Sequence, residues 1–210
     1  DVYKRQAKMV VIGPGLSTNE KTKQLVRELV SEIEKPLLID GDGITAISEN
    51  IEVLKKRKGK TILTPHTGEM ERITKIKREE IEKNRVDVLQ KTAKELNSII
   101  VLKGPHSLVG YPDERVYIIL SGNAGMATAG SGDVLNGTIC AMYVLGLSLD
   151  EAVRTGVFIH GLAGDLVAKE KGQDGIVASD ILESLPYAIK YYRENFEKIA
   201  ENFYEKIHIK

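Results

Sequence analysis

Four short apolar runs, residues 9–12, 37–40, 61–63 and 99–102, recur along the chain with helix-length segments between them. Runs this short and this apolar read as buried strands rather than as one stripe of a helix. Their alternation with helical segments restricts the chain to an α/β architecture, a parallel sheet covered on both faces. One helix is expected over residues 20–33. Another is expected over 77–96, where Ile81, Val88, Leu89, Ala93 and Leu96 mark an apolar stripe. Residues 107–109 and 116–120 flank the turn-prone Tyr111-Pro112-Asp113-Glu114, which predicts a hairpin. Further on, Ser148-Leu149-Asp150-Glu151 has the capping-box pattern and starts a helix running to about Lys171. Gly172 and Gly175 end it, Ser179-Asp180 starts the next, and the tail over 187–210 is charged and helical.

With 210 residues the chain is long enough to bury a substantial core, and we expect one domain over residues 7–210 that lacks its N-terminal part. Residues 1–6 read as a sequence-assembly scar. Thirty basic and thirty acidic residues cancel, so neither nucleic acid nor an anionic membrane is expected as a partner. No apolar stretch approaches transmembrane length, and the chain is expected to be soluble and cytoplasmic. The single cysteine, Cys140, lies within an apolar run and reads as a small buried hydrophobe.

In parallel sheets ligands bind where the loops leave the carboxyl ends of the strands. Each strand here ends in such a loop. Gly13-Pro14-Gly15-Leu16 follows the first strand, and Asp40-Gly41-Asp42 the second. The two acids suit Mg²⁺ held through water, a hydroxyl contact, or a solvated turn. Thr64-Pro65-His66-Thr67-Gly68-Glu69 follows the third strand, where His66 is a candidate ligand contact, or Pro65, Gly68 and Glu69 simply start a helix. Lys103-Gly104-Pro105-His106-Ser107 follows the fourth; Lys103 either meets a phosphate or is simply a charge at a strand end. His160, in an apolar helical run, reads as a core histidine.

The richest segment is residues 122–135, which ends in Gly130-Ser131-Gly132-Asp133 and runs straight into the apolar stretch 134–147. Glycines let the backbone bring its amides close to a ligand, and the helix that follows points its positive end into the loop. That junction suits a phosphate. Asp133 is then either an ordinary N-cap or a base that takes a proton from a hydroxyl attacking a phosphoryl group.

Taken in order, seven motifs resemble one family, the ADP-dependent NAD(P)H-hydrate dehydratases of the YjeF carboxy-terminal domain type. They are Gly13-Pro14-Gly15-Leu16, Asp40-Gly41-Asp42-Gly43, Leu63 through Glu69, Leu102-Lys103-Gly104, Gly122 through Leu135, His160-Gly161-Leu162-Ala163-Gly164-Asp165, and Ala178-Ser179-Asp180. The resemblance implies a ribokinase-like, three-layer α/β/α fold with a mostly parallel central sheet. It also implies repair of hydrated NADH or NADPH, with ADP as phosphoryl donor and AMP and phosphate released. By that resemblance Asp133 is the base, and Gly130, Ser131 and Gly132 form the anion hole. Lys103, Gly104, Pro105, His106 and Ser107, with Gly132, contact the adenine nucleotide. Gly15, His66 and Asp133 contact the hydrated dinucleotide. Mg²⁺ is expected on the phosphates with no protein ligand named, and a homo-oligomer is expected.

Two departures from the family pattern stand out. The family domain begins well before the first strand here. Where the family shows Gly-Ala-Gly-Thr or a similar run, this chain has Gly104-Pro105-His106-Ser107, and Pro105 removes a backbone donor. Two alternatives share the glycine-rich motif: a ribokinase-like kinase for a vitamin precursor or sugar, and a nucleotide-binding remnant without turnover.

Overall fold

The computed structural model describes residues 7–203; the expected scar at residues 1–6 and the last part of the charged tail lie outside them. Six strands form one sheet in chain order: β1 (Val10–Ile12), β2 (Leu37–Ile39), β3 (Thr61–Leu63), β4 (Ile99–Leu102), β5 (Leu108–Gly110) and β6 (Val116–Ile118). The first four pair in parallel, and β5 and β6 return antiparallel as the hairpin expected around residues 111–114.

Six helices connect these strands: α1 (Glu20–Glu32), α2 (Asp42–Ser48), α3 (Glu52–Lys55), α4 (Thr67–Thr74), α5 (Arg78–Lys83) and α6 (Arg85–Glu95). Parallel strands in chain order, joined by right-handed crossovers, bring their connecting helices onto one face. One cluster accordingly joins Val26 and Val30 of α1, Ile44 and Ile47 of α2, Met70 of α4, Ile81 of α5 and Leu89 of α6 to the strands. The strand residues in it, Ile12, Leu37, Ile39, Leu63, Ile100, Leu102 and Leu108, follow the period of two. Leu38, Ile62, Val101 and Val109, on the alternate positions, are fully buried as well. Both faces of the central strands are therefore dry, which is why these runs are apolar throughout.

The helix expected over residues 77–96 is two helices. Asn84, at φ −129° and ψ 39°, closes α5 and opens α6. The break turns Arg85 toward the loop after β4, where its guanidinium donates to the carbonyl of Pro105 at 2.7 Å.

The chain divides into two compact units that part between Ile118 and Ile119. The second holds α7 (Ser131–Val144), α8 (Leu149–Lys171), α9 (Ala178–Glu194) and α10 (Phe196–Phe203). The capping box at Ser148 is present: its hydroxyl accepts from the Glu151 amide, and the Glu151 carboxylate accepts from the Ser148 amide. Asp180 likewise accepts from the Val177 amide at 3.1 Å and starts α9. Among the described residues no helix is long and apolar enough to cross a membrane.

Candidate functional site

Because β1 to β4 are parallel, the loops after them leave the same edge of the sheet. Backbone bonds lock three of them together. The Asp40 amide donates to the Ile12 carbonyl at 3.0 Å, Thr64 to Ile39 at 3.2 Å and Lys103 to Pro65 at 2.8 Å. Gly13 is required where the first loop crosses the second. It sits at φ +136°, and a Cβ there would lie 1.7 Å from the Asp40 carbonyl oxygen. Gly15, at the exposed tip of that loop, has open space around it. Asp42 accepts from the Ser17 amide at 2.8 Å, tying the two loops once more.

Inside this edge lies a buried ionic cluster. The Lys103 ammonium donates to Asp40 at 2.8 Å and lies 3.9 Å from the Glu69 carboxylate. Asp40 and Glu69 are both buried. A buried carboxylate is costly unless paired, and Lys103 supplies the partner. Asp40 and Asp42 therefore serve an ion pair and a loop tie, rather than forming a pair of metal ligands side by side. Nor does Lys103 end as a free charge at a strand terminus. Among the described residues no group of three or more His, Cys, Asp or Glu side chains is placed to hold a metal ion.

His66 starts α4 in an unusual way. Its Nδ1 accepts from the amides of Gly68 at 3.0 Å and Glu69 at 3.2 Å, doing the work of a capping Ser or Asp. The Glu69 carboxylate closes the box by accepting from the His66 amide at 2.8 Å. With Nδ1 accepting two bonds, the neutral ring carries its proton on Nε2. The ring is half exposed and presents that N–H as a donor, 3.6 Å from a Glu69 oxygen. Helix start and ligand contact, alternatives in the sequence, are thus compatible roles for one residue.

The loop after β4 carries Gly104, Pro105 and His106 exposed and Ser107 half-buried. His106 takes a left-handed backbone, φ +52°, the conformation that glycine adopts without penalty. Arg85 buttresses this loop from below. Its two terminal nitrogens reach the carbonyls of Pro105 and Leu102, while its Nε is buried with no hydrogen-bond partner among the described residues. Sequence reasoning missed Arg85 altogether, since an arginine on a charged helix carries no signal of its own. It also missed the Asp40–Lys103 pair, whose members are 63 residues apart. The available clue was that each directly follows a core strand.

In the second unit, Gly130 caps α7 at φ +85°, and no side chain caps that helix. The Ser131 amide donates to the Thr128 carbonyl at 3.2 Å, and the Val134 amide to Gly130 at 3.1 Å. Gly132 and Asp133, second and third in the helix, keep their amides at the open end of its dipole. Asp133 is exposed. It is not the N-cap, so that explanation for a carboxylate at this position falls. The Ser131 side chain is buried and faces His160 at 3.5 Å, and its amide is already taken by Thr128.

Two other reactive side chains are quiet. Burial pushes the Cys140 thiol up to about 11, so it stays protonated at neutral pH. Burial pushes His160 down to about 4 and keeps the ring neutral, partly offset by a hydrogen bond to the Ser131 backbone.

Comparison with known proteins follows the same lines. A family profile described as NAD(P)H-hydrate dehydratase matches residues 2–187. A bifunctional NAD(P)H-hydrate repair enzyme from Thermofilum pendens is 49% identical over 203 residues, 97% of this chain and 39% of that protein. An ADP/ATP-dependent NAD(P)H-hydrate dehydratase from Bacillus subtilis, crystallised with ATP and Mg²⁺, superposes with a TM-score of 0.80 at 31% identity, over 88% of this chain and 66% of that one. A ribokinase-like superfamily protein from Enterococcus faecalis superposes with a TM-score of 0.77 at 28% identity, over 90% of this chain and 65% of its own. The fold is thus ribokinase-like. The chain spans well under half the length of the bifunctional relatives.

Proposed function

The chain belongs to the NAD(P)H-hydrate dehydratase family, and from that premise we propose that it dehydrates hydrated NADH and NADPH at the expense of ADP, yielding the reduced dinucleotide, AMP and phosphate. The observation that carries this reading is the start of α7. An exposed carboxylate stands in its first turn without a capping role, beside two amides at the positive end of the helix. Such a carboxylate repels bound phosphate unless it has a proton to take.

The chemistry explains the need for ADP. Hydroxide is a poor leaving group at neutral pH, and phosphate is a good one. Asp133 takes the proton of the ring hydroxyl as its oxygen forms a bond to the β-phosphorus of ADP, and AMP departs. The amides of Gly132 and Asp133 hold the transferred group's oxygens, with Gly130 giving the backbone its close approach. The ring nitrogen lone pair then expels phosphate as the C–O bond breaks, and loss of a proton from the neighbouring carbon restores the double bond. Residues 103–107 hold the nucleotide, and Gly15 and the Nε2–H of His66 contact the dinucleotide. A Mg²⁺ bound with the nucleotide, held by phosphate oxygens and water, would supply neutralisation of phosphate charge. We place the enzyme in the cytoplasm, where its substrates are, and expect it to act as a homo-oligomer.

The test is incubation with hydrated NADH, ADP and Mg²⁺ while following phosphate and the absorbance of reduced nicotinamide. Equal yields of phosphate, AMP and NADH are expected. ATP consumption with a stable phosphate ester of another small alcohol, and no NADH, would replace this reading with a kinase.

A further inference from the structure

One face of α8 grips the glycine loop that leads into α7 at three places. At the entry, the Asp165 carboxylate accepts from the Gly122 amide at 2.8 Å with one oxygen and from the Asn123 side-chain amide at 3.0 Å with the other. Asn123 passes the constraint on, since its own oxygen accepts from the Gly125 amide at 3.1 Å. Just before, the Ser121 hydroxyl donates to the Phe158 carbonyl at 2.8 Å.

Between these ends, two glycines of α8 let the loop pack close against the helix. A Cβ at Gly161 would lie 2.4 Å from the Ser121 hydroxyl oxygen and 2.7 Å from its carbonyl. One at Gly164 would lie 2.2 Å from the Met126 sulfur. At the exit, His160 is buried with its Nε2 3.5 Å from the Ser131 hydroxyl, at the first residue of α7.

All these contacts come from residues 158–165, two turns of one helix, and they bracket the loop from Ser121 to Ser131. The loop itself is rich in glycine and alanine, so it carries little side-chain packing of its own to hold a shape. We propose that α8 is the template of the phosphate-holding loop, with Asp165 fixing its entry and His160 its exit as positioning residues for phosphoryl transfer. This rests on the reading of the α7 start given above. Neither residue touches the reacting atoms. Each acts through the amides whose direction it sets, and preorganised donors favour the transition state over the ground state. Burial keeps the His160 ring neutral at working pH, so its place beside Ser131 does not bring a positive charge that would compete for the phosphate.

The test uses Asp165→Ala and His160→Leu, with Asp165→Asn and His160→Gln as conservative partners, in the full chain. Three readouts are taken: kcat and KM for hydrated NADH, the ratio of ADP to AMP affinity, and amide hydrogen exchange at Gly122. Loss of the charge-assisted bonds of Asp165 is worth about tenfold, and loss of the neutral His160–Ser131 contact about threefold. We expect kcat in the two deleting variants to fall by about those factors or more, with KM for the dinucleotide moving less than about twofold. The preference for ADP over AMP collapses in parallel, because only ADP places a phosphate in the loop. Exchange at Gly122 quickens in Asp165→Ala, and His160→Gln recovers most of the kcat. Faster exchange at Gly122 with kcat and ADP preference unchanged would overturn the proposal. So would a parallel loss of kcat and of both nucleotides' binding, the signature of simple unfolding. Should Asp165→Ala fail to fold, Asp165→Asn carries the same comparison with one acceptor left for two donors. Absence of NADH production by the parent chain would sink the functional reading alone; the exchange rates and the ADP preference would still decide the template.

Discussion

Asp133 stands in the first turn of α7, exposed and free of capping duty. If it is the base, Asp133→Asn keeps the shape and loses the proton acceptor. We expect turnover to fall by about a hundredfold or more while the affinity for ADP stays within a few-fold; single-turnover kinetics and calorimetry separate the two. Near-normal turnover would remove the residue from that role. His160 makes a different prediction. Its ordinary value is 6.5 and burial brings it to about 4, so the unfolded chain binds a proton between those values that the folded chain excludes. Its contribution to stability is complete above 6.5 and is lost as pH falls toward 4, by ~3 kcal/mol in all. Denaturant titrations across this window are expected to show a steeper acid loss in the native chain than in His160→Gln. Parallel slopes would mean the ring is hydrated. At this scale the sequence was only half legible. Asp133 and the glycines announced themselves, since an acid that ends a glycine-rich loop just before an apolar run stands out in the sequence alone. The Asp40–Lys103 pair and the reach of Arg85 to Pro105 did not, because both depend on which strand ends meet in space.

Elements were more legible. Short continuous apolar runs and stripes of period three to four are local signals, and β3 and β4 fall where those signals put them. The Ser148 box marks the start of α8 because both partners of the cap are within four residues. Replacing Ser148 by Ala is expected to cost about 1 kcal/mol, measured by chemical unfolding. No change would mean that packing along α8 already fixes its start. The break at Asn84 was not legible, since the apolar stripe runs through it unbroken and only the pull of Arg85 on the loop after β4 gives it a reason. Gly13 shows how an element end depends on a loop from elsewhere. Gly13→Ala puts a methyl against the Asp40 carbonyl at a positive φ, and a loss of more than about 4 kcal/mol is expected. A variant that unfolds like the native chain would mean the first loop can move away from β2 without cost.

For the whole molecule, thirty basic and thirty acidic residues balance to zero net charge. The parallel order of β1 to β4 gathers four loops at one edge, and that gathering turns four weak motifs into one cluster. Sequence alternation foresaw the sheet; the antiparallel return of β5 and β6 followed from the turn residues between them. The central claim is that the hydrate's own oxygen leaves as phosphate. The measurement that tests it most directly is the fate of heavy oxygen placed in the ring hydroxyl of hydrated NADH during turnover with ADP and Mg²⁺. The account predicts that the label appears in inorganic phosphate, one atom per NADH formed, and that AMP carries none. Label released into water, with phosphate unlabelled, would contradict phosphoryl transfer to the hydrate and leave ADP hydrolysis as a separate event.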